Sequence, residues 1–307
     1  MKIYPVQRIS MRTRFKYSKM KKILVPTDFS ANAMKAAIYS AEIARRTGAI
    51  VYLLHVIEPV TYRIRRPYPL HERLEYEIED ARMRALQTVK DALSETSRDV
   101  CIETAVTKGF ATKAIVEYSE HLKADIVVMG TKGATGLKEI FVGSVAASVI
   151  AGSKIPVLAV PEEYIAEMPA NILFATNHFE ENNDLLNCIV GLAKLFTATI
   201  YVAIFIDTDS ADASQYLYNT RQLNHYLDFL QKAYPEVAFK GELLEGRVFE
   251  DTLNDYEKKQ DVDIVAMITY PKSFWEKKVN KSMSKKLAFH SSIPLLVVPA
   301  KQFSPIS

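Results

Sequence analysis

Cysteine and long apolar runs are both scarce in this chain of 307 residues, which argues against a disulfide-stabilised protein and against a membrane-spanning one. The two cysteines, Cys101 and Cys188, lie far apart within apolar stretches, which favours buried free thiols in a reducing compartment over a disulfide or a metal site. No apolar run approaches the roughly 18 residues that a membrane helix requires. We therefore expect a cytoplasmic protein with no membrane partner.

Acidic residues are absent from the first 22 positions, which carry eight Lys and Arg. The net charge is +3, so removing those eight cations leaves the rest of the chain at −5. A mildly acidic body without a nucleic-acid-binding motif argues against a nucleic-acid partner. We expect residues 1–20 to be a disordered basic leader. A targeting segment, or residues ahead of a later start at Met20, are the alternatives.

Short apolar runs alternate with helical stretches along the first half. The predicted strands cover 22–27, 50–57, 100–107, 125–129 and 155–160. The predicted helices cover 31–47, 72–97, 111–122 and a stretch that begins at Ser144, and 58–70 is predicted to be a loop. Ser30 can cap the first helix and Gly48 can end it. This alternation predicts a doubly wound, Rossmann-like α/β domain with five parallel strands in the order 3-2-1-4-5. Its ligand crevice would lie between the carboxyl ends of strands 1 and 4.

The second half repeats the first. Residues 171–177 match 22–28, and 263–299 match 125–161 without a gap at an offset of 138. We therefore predict tandem domains at 21–162 and 170–301, joined by a linker at 163–169. The final strands, 155–160 and 293–298, are apolar and β-branched, so we expect them to pair with each other and form an intramolecular pseudo-dimer. Further homodimerisation is left open.

A glycine-rich segment follows the strand that ends near Met129. Its spacing, Gly-xx-Gly-x9-Gly-Ser, places glycines at 130, 133 and 143 and a serine at 144. This is neither the dinucleotide GxGxxG nor the Walker motif. Unpaired N–H groups at a helix start near Ser144 would attract an anion. The alternative is that the glycines serve turns alone.

The segment Pro26–Ser30, with its P-x-D-x-S pattern, and the glycine-rich loop together resemble the universal stress protein family. The resemblance implies that the loop wraps the ribose and phosphates of ATP, with or without Mg²⁺. It implies these site residues in the first domain: Pro26, Thr27, Asp28, Val56, Gly109, Met129, Gly130, Thr131, Gly133, Gly143, Ser144 and Val145.

Roles for the adenine end follow from the same resemblance. Asp28 would accept a hydrogen bond from the adenine amino group, Pro26, Thr27 and Met129 would form walls, and Val56 would offer backbone contacts. Asp28 can instead be a loop or helix-capping carboxylate. Gly109 can serve a turn only, and the neighbouring His55 fits a satisfied core histidine.

The second repeat departs from the pattern at the site. Asn177 replaces Asp28, and Ile268, Pro271 and Lys281 replace the three glycines, so only Ser144 has an equivalent, Ser282. We expect this second site to be degenerate, because a side chain prevents close backbone approach. Its loop carries six lysines, which form either a solvated basic face or a site for an anion or partner: Lys272, Lys277, Lys278, Lys281, Lys285 and Lys286.

Taken together, the sequence predicts a tandem universal stress protein that binds ATP in its first domain and acts as a nucleotide-responsive regulator of the stress response. The alternatives are a slow ATPase or phosphotransferase and a ligand-free scaffold. The sequence shows no Walker lysine and no base arranged beside a nucleophile, so a binding protein is favoured over an enzyme.

Overall fold

One ten-stranded sheet runs through both halves of the chain in the computed structural model. The structure describes residues 20–58, 68–97, 99–131, 143–164, 169–270 and 293–300. The leader and most of the predicted linker therefore lie outside the described residues, as do the two segments that contain Gly133 and the lysines of the second repeat.

In its described residues, the first half contributes five strands and four helices. The strands are β1 (Lys22–Pro26), β2 (Ile50–Ile57), β3 (Cys101–Lys108), β4 (Ile126–Gly130) and β5 (Val157–Val160). The helices are α1 (Ala31–Thr47), α2 (Tyr68–Thr96), α3 (Ala111–Leu122) and α4 (Ser144–Gly152).

The second half contributes five strands and three helices within the described residues. The strands are β6 (Asn171–Ala175), β7 (Thr199–Asp207), β8 (Phe239–Gly246), β9 (Ile264–Thr269) and β10 (Leu295–Pro299). The helices are α5 (Asn183–Phe196), α6 (Ala213–Ala233) and α7 (Phe249–Lys259).

The strand order is β3-β2-β1-β4-β5-β10-β9-β6-β7-β8, which confirms the predicted order 3-2-1-4-5 in each half. Every pairing is parallel except the central one, where β10 runs antiparallel to β5 with Leu296 opposite Leu158. This central pair confirms that the two halves join through their final strands. Because β5 and β10 pair with each other, neither is left as an open sheet edge.

Alternation along the strands divides the core between the two faces of the sheet. Ile23 and Val25 of β1 pack into one apolar cluster, whereas Leu24 between them packs into the other. Both clusters take residues from the two halves of the chain, so the core is continuous across the β5–β10 pair.

Local signals explain how α1 begins and ends. The Ser30 hydroxyl accepts a hydrogen bond from the Ala33 N–H at 3.1 Å. Gly48 takes a left-handed conformation with φ 74°, and its N–H donates to Ala44 O at 2.8 Å. Both predicted ends of this helix are therefore confirmed.

Two expectations were wrong. Helix α2 begins at Tyr68, so the predicted loop extended too far. Pro69 suggested a loop. A proline is tolerated in the first turn of a helix, because the N–H group that it lacks has no intrahelical acceptor there. Cys101 is exposed because β3 is an edge strand, and Cys188 is only partly buried; both are free thiols. Of the helices that the structure describes, none is long and apolar enough to cross a membrane.

Candidate functional site

A cavity of about 170 Å³ opens at the carboxyl ends of β1, β2 and β4, beside the starts of α3 and α4. This is the crevice that the strand order predicts, because the connections from β1 and β4 lead away in opposite directions. The residues predicted for the site that line it are Pro26, Thr27, Asp28, Val56, Met129, Gly130, Thr131, Gly143, Ser144 and Val145. The prediction missed six further lining residues: Ala33, Leu54, His55, Ala111, Ile115 and Ala146.

The turn after β1 is held by its own side chains. The Thr27 N–H donates to Leu54 O at 2.8 Å, and the Thr27 hydroxyl accepts from the Phe29 N–H at 3.1 Å. Oδ1 of Asp28 accepts from the Ser30 N–H at 3.0 Å, while the Asp28 side chain stays exposed. Asp28 therefore shapes the entry to α1, as the capping alternative requires, and also borders the mouth of the cavity.

His55 forms part of the cavity wall and is almost fully buried. Its Nδ1 lies 2.8 Å from Thr27 O, and because a carbonyl only accepts, the neutral ring carries its proton on Nδ1. Burial lowers the pKa of His55, and Arg82 adds to this effect, whereas the hydrogen bond to Thr27 and the charge of Asp28 oppose it. His55 is thus both a satisfied core histidine and a neutral wall of the site.

Gly130 lines the cavity, but the contact that requires a glycine is on the protein side. A Cβ at Gly130 would collide with Oδ1 of Asn32 and lie 2.7 Å from its Cγ. The missing side chain therefore lets the first turn of α1 approach the end of β4.

The first turn of α4 borders the cavity. Its N-cap is Gly143, which has no side chain to cap the helix. Ser144, Val145 and Ala146 line the cavity and occupy the first turn, where backbone N–H groups have no intrahelical acceptor. The positive end of the helix dipole and these donors make this end of the cavity suitable for an anion.

The neighbouring start of α3 differs, because a carboxylate already occupies it. Oε1 of Glu58 accepts from the Ala111 N–H at 3.1 Å. An anionic ligand in the cavity would therefore meet a favourable helix start at α4 and a carboxylate at α3. Because of this asymmetry, the α4 side of the cavity suits an anionic group better than the α3 side does.

Two predicted residues are not placed in the cavity. Gly109 follows β3, donates its N–H to Ile57 O at 3.0 Å and does not line the cavity. Its φ of 148° favours glycine, as the turn alternative requires. Gly133 lies outside the described residues.

The matching crevice of the second repeat is filled by aromatic side chains. Phe205 stands where β2 has Val56, and Phe249, the first residue of α7, stands where α3 has Ala111. The two rings pack edge to face with centroids 5.4 Å apart at 79°, and Phe249 is 7% exposed. The sequence prediction noted the lost glycines but missed this filling.

The doubly wound fold and the cleft at the strand ends define a two-domain α/β protein with an open crevice in the first domain. A family model, the universal stress protein family, matches residues 19–161 and 168–299. The chain therefore belongs to the universal stress protein family and carries two of its domains in tandem.

The chain is also similar to individual proteins. Universal stress protein MJ0531 of Methanocaldococcus jannaschii is 36% identical over 140 residues, which cover 46% of this chain and 81% of that protein. A universal stress protein from Archaeoglobus fulgidus has the same fold along both halves, with a TM-score of 0.69, 16% identity and coverage of 92% of this chain and 99% of that one. A second structure is a universal stress protein in complex with cAMP; it is 25% identical, covers 47% of this chain and 98% of its own, and has a TM-score of 0.36.

Proposed function

We propose that the first domain binds ATP in this cavity and that the chain acts in the cytoplasm as a nucleotide-responsive regulator of the stress response. The observation that carries the proposal is the asymmetry of the cavity. Apolar walls lie at the strand ends, and at the start of α4 lie first-turn N–H groups that have no acceptor within the helix. An adenine ring suits the first surface and a phosphate suits the second.

At the base end, Pro26, Leu54, Ile115 and Met129 supply apolar surface, and Asp28 supplies a carboxylate at the mouth. A carboxylate can accept a hydrogen bond from the adenine amino group, which guanine lacks at the same ring position. The cavity is smaller than the roughly 300–1,000 Å³ of a pocket for a whole ligand. The described residues would therefore enclose the base and the start of the phosphate chain, and the rest of ATP would extend past Thr131 and Gly143.

The phosphate end would use backbone groups of α4 and the Ser144 hydroxyl. Among the described residues no group of three or more His, Cys, Asp and Glu side chains is arranged to hold a metal ion. If Mg²⁺ accompanies ATP, we therefore assign it to the phosphates rather than to a protein cage. When bound, the ion would supply charge neutralisation at the phosphates.

The binding site is tested by calorimetry on the full chain with ATP, cAMP and GTP. Gly143→Val places a branched side chain at the phosphate end, and since Gly143 has φ −53° and ψ 147°, any residue can adopt its backbone. We expect this variant to lose ATP binding. Asp28→Ala removes one hydrogen bond to the base and should weaken binding by about 1–2 kcal/mol.

Gly191→Val is the matched control for the glycine substitution. Gly191 lies within α5, and a Cβ there meets nothing within 4 Å, so ATP binding should equal that of the parent. A folded Gly143→Val variant that binds ATP as tightly as the parent would contradict the site.

The binding role is separated from an enzymatic one by measuring phosphate release. We expect ATP mixed with stoichiometric protein to be recovered unchanged. Steady phosphate release that disappears in Gly143→Val would instead support a slow ATPase at the same site.

A further inference from the structure

Asn32, the second residue of α1, is buried beside the cavity without lining it, with 2% of its surface exposed. Its Nδ2 donates a hydrogen bond to Val160 O at 3.0 Å. Val160 is the last residue of β5, and the same oxygen accepts from the Thr131 N–H at 3.1 Å. One carbonyl thus joins the first turn of α1 to the first residue after β4.

The contacts continue from Thr131 to the start of α4. The Gly143 N–H donates to Thr131 O, so the two residues that flank 132–142 are hydrogen-bonded to each other. Gly143 is the N-cap of α4. Three consecutive hydrogen bonds therefore connect the Asn32 side chain to the helix start that faces the cavity.

The first half of the chain makes room for this side chain at Gly130, where a Cβ would collide with Asn32. The second repeat has Ile268 at the equivalent position. There α5 begins at Asn183, three residues later than α1 once the repeat offset of 149 is applied. The contact between the first turn of α1 and the end of β4 therefore belongs to the half with the open cavity.

Two further contacts fix α1 against the segment that follows β5. Lys35 Nζ donates to Glu162 O, and the ring of Tyr39 packs on that of Tyr164 with centroids 5.9 Å apart at 76°. Residues 32, 35 and 39 are spaced to share one face of a helix. Asn32 therefore belongs to a helix face that is anchored along residues 160–164.

We propose that Asn32 is a positioning residue for nucleotide binding. It holds Val160 O and Thr131 in the arrangement that presents the N–H groups of α4 to a phosphate. The inference rests on the ATP site proposed above and adds a residue that lies outside the cavity. Because Asn32 acts through Val160 and Thr131, its loss should weaken the phosphate contacts and leave the base contacts in place.

The first test compares ATP with adenosine, which lacks the phosphates, by calorimetry on the full chain. Asn32→Leu keeps the number and branching of the side-chain heavy atoms and removes the donor. We expect the affinity for ATP to fall about fivefold to tenfold, as for one lost hydrogen bond, and that for adenosine to stay within about twofold. An equal loss for both ligands, or no loss for ATP, would overturn the proposal.

Ser40→Ala is the matched control, since Ser40 is also buried on α1 and donates from its hydroxyl to Ala36 O at 2.7 Å. It lies eight residues further on, about 12 Å along the helix axis. The control removes a buried hydrogen bond of the same helix, so it should leave both affinities within about twofold of the parent.

A second test needs no ligand and separates this proposal from the ATP site itself. Hydrogen exchange at the Thr131 and Gly143 amides should become about tenfold faster in Asn32→Leu and stay unchanged in Ser40→Ala. If the parent bound no ATP but exchange responded in this way, the ATP assignment would fail while the positioning role stood. Unchanged exchange in Asn32→Leu would overturn the positioning role, whatever the affinity for ATP.

Discussion

Among the residues that distinguish the open crevice of the first domain from the filled crevice of the second, one pair can be exchanged in both directions. Ala111 and Phe249 are each the first residue of the helix beside their crevice. Ala111→Phe should fill the cavity of the first domain, and Phe249→Ala should empty the crevice of the second. The two substitutions together test whether a phenyl ring at this position is what distinguishes the filled second crevice from the open first one.

The structure sets the size of each effect. Phe249 is 7% exposed and packs edge to face on Phe205, so its truncation should lower the free energy of unfolding by about 3–5 kcal/mol. Phe249→Leu keeps most of the volume and loses the aromatic contact, for which we expect about 0.5–1.5 kcal/mol. In the first domain, a phenyl ring at position 111 would occupy space that we assign to adenine, so ATP binding should be lost.

Urea denaturation and calorimetry with ATP measure the two effects on the full chain. Phe249→Ala should lower the denaturation midpoint and keep the stoichiometry near one ATP per chain. Emptying the second crevice is insufficient, because Ile268 still stands where the first domain has Gly130 and no carboxylate replaces Asp28. Ala111→Phe should show a normal midpoint and no ATP binding.

Three results would refute this reasoning. A folded Ala111→Phe variant that binds ATP like the parent would mean that the ligand does not use this part of the cavity. A loss of under about 1 kcal/mol for Phe249→Ala would mean that the ring does not fill the second crevice tightly. A stoichiometry near two in the parent would contradict the degenerate second site directly.

Three further predictions concern stability. Aspartate at Val157 or Leu295, which are 1% and 3% exposed in the central strand pair, should bury a charge and speed hydrogen exchange across β5 and β10, while aspartate at exposed Leu217 should not. Burial lowers the pKa of His55 from its ordinary value of 6.5, so the contribution of His55 to stability is present above that pH and is lost as the pH falls. Without ligand, the urea midpoint of His55→Asn should therefore drop less between pH 7 and pH 5 than that of the parent. An equal drop would count against this. Gly191→Ala should raise the free energy of unfolding by about 0.5–1 kcal/mol, measured by urea denaturation, since the added Cβ lies in open space within a helix.

Much of the fold could be predicted because its signals are local. Continuous apolar runs such as Ile50–Ile57 identify buried parallel strands, and Ser30 and Gly48 mark the ends of α1. The order of the strands then follows from the handedness of the crossovers. The start of α2 could not be placed, because prolines are compatible with both a loop and a first helical turn.

The site was predictable where one stretch of chain carries it and less so where distant residues meet. The turn at Asp28 and the start of α4 contribute lining residues from two short motifs. His55, Ala111 and Ile115 come from β2 and α3, where nothing local distinguishes a cavity wall from ordinary core. The role of Asn32 depends on its contact with Val160, 128 residues further along, which only the folded structure reveals.

The amino and carboxyl ends of the strands within each half show why the repeats share a fold but differ at the crevice. At the amino end of β4, Oδ2 of Asp125 accepts from the N–H groups of Lys21 and Lys22 at 2.6 and 2.9 Å. At the matching point of β9, Oδ2 of Asp263 accepts from those of Ala170 and Asn171 at 2.8 and 2.9 Å.

Each carboxylate aligns the first and fourth strands of its own half and lies at the amino ends of those strands, whereas the crevice of each half lies at their carboxyl ends. Changes at the carboxyl end, such as Phe249 for Ala111, can therefore fill a site without disturbing the strand order. Among the described residues, the first domain keeps an open crevice at its strand ends, and the second domain completes the sheet through β10.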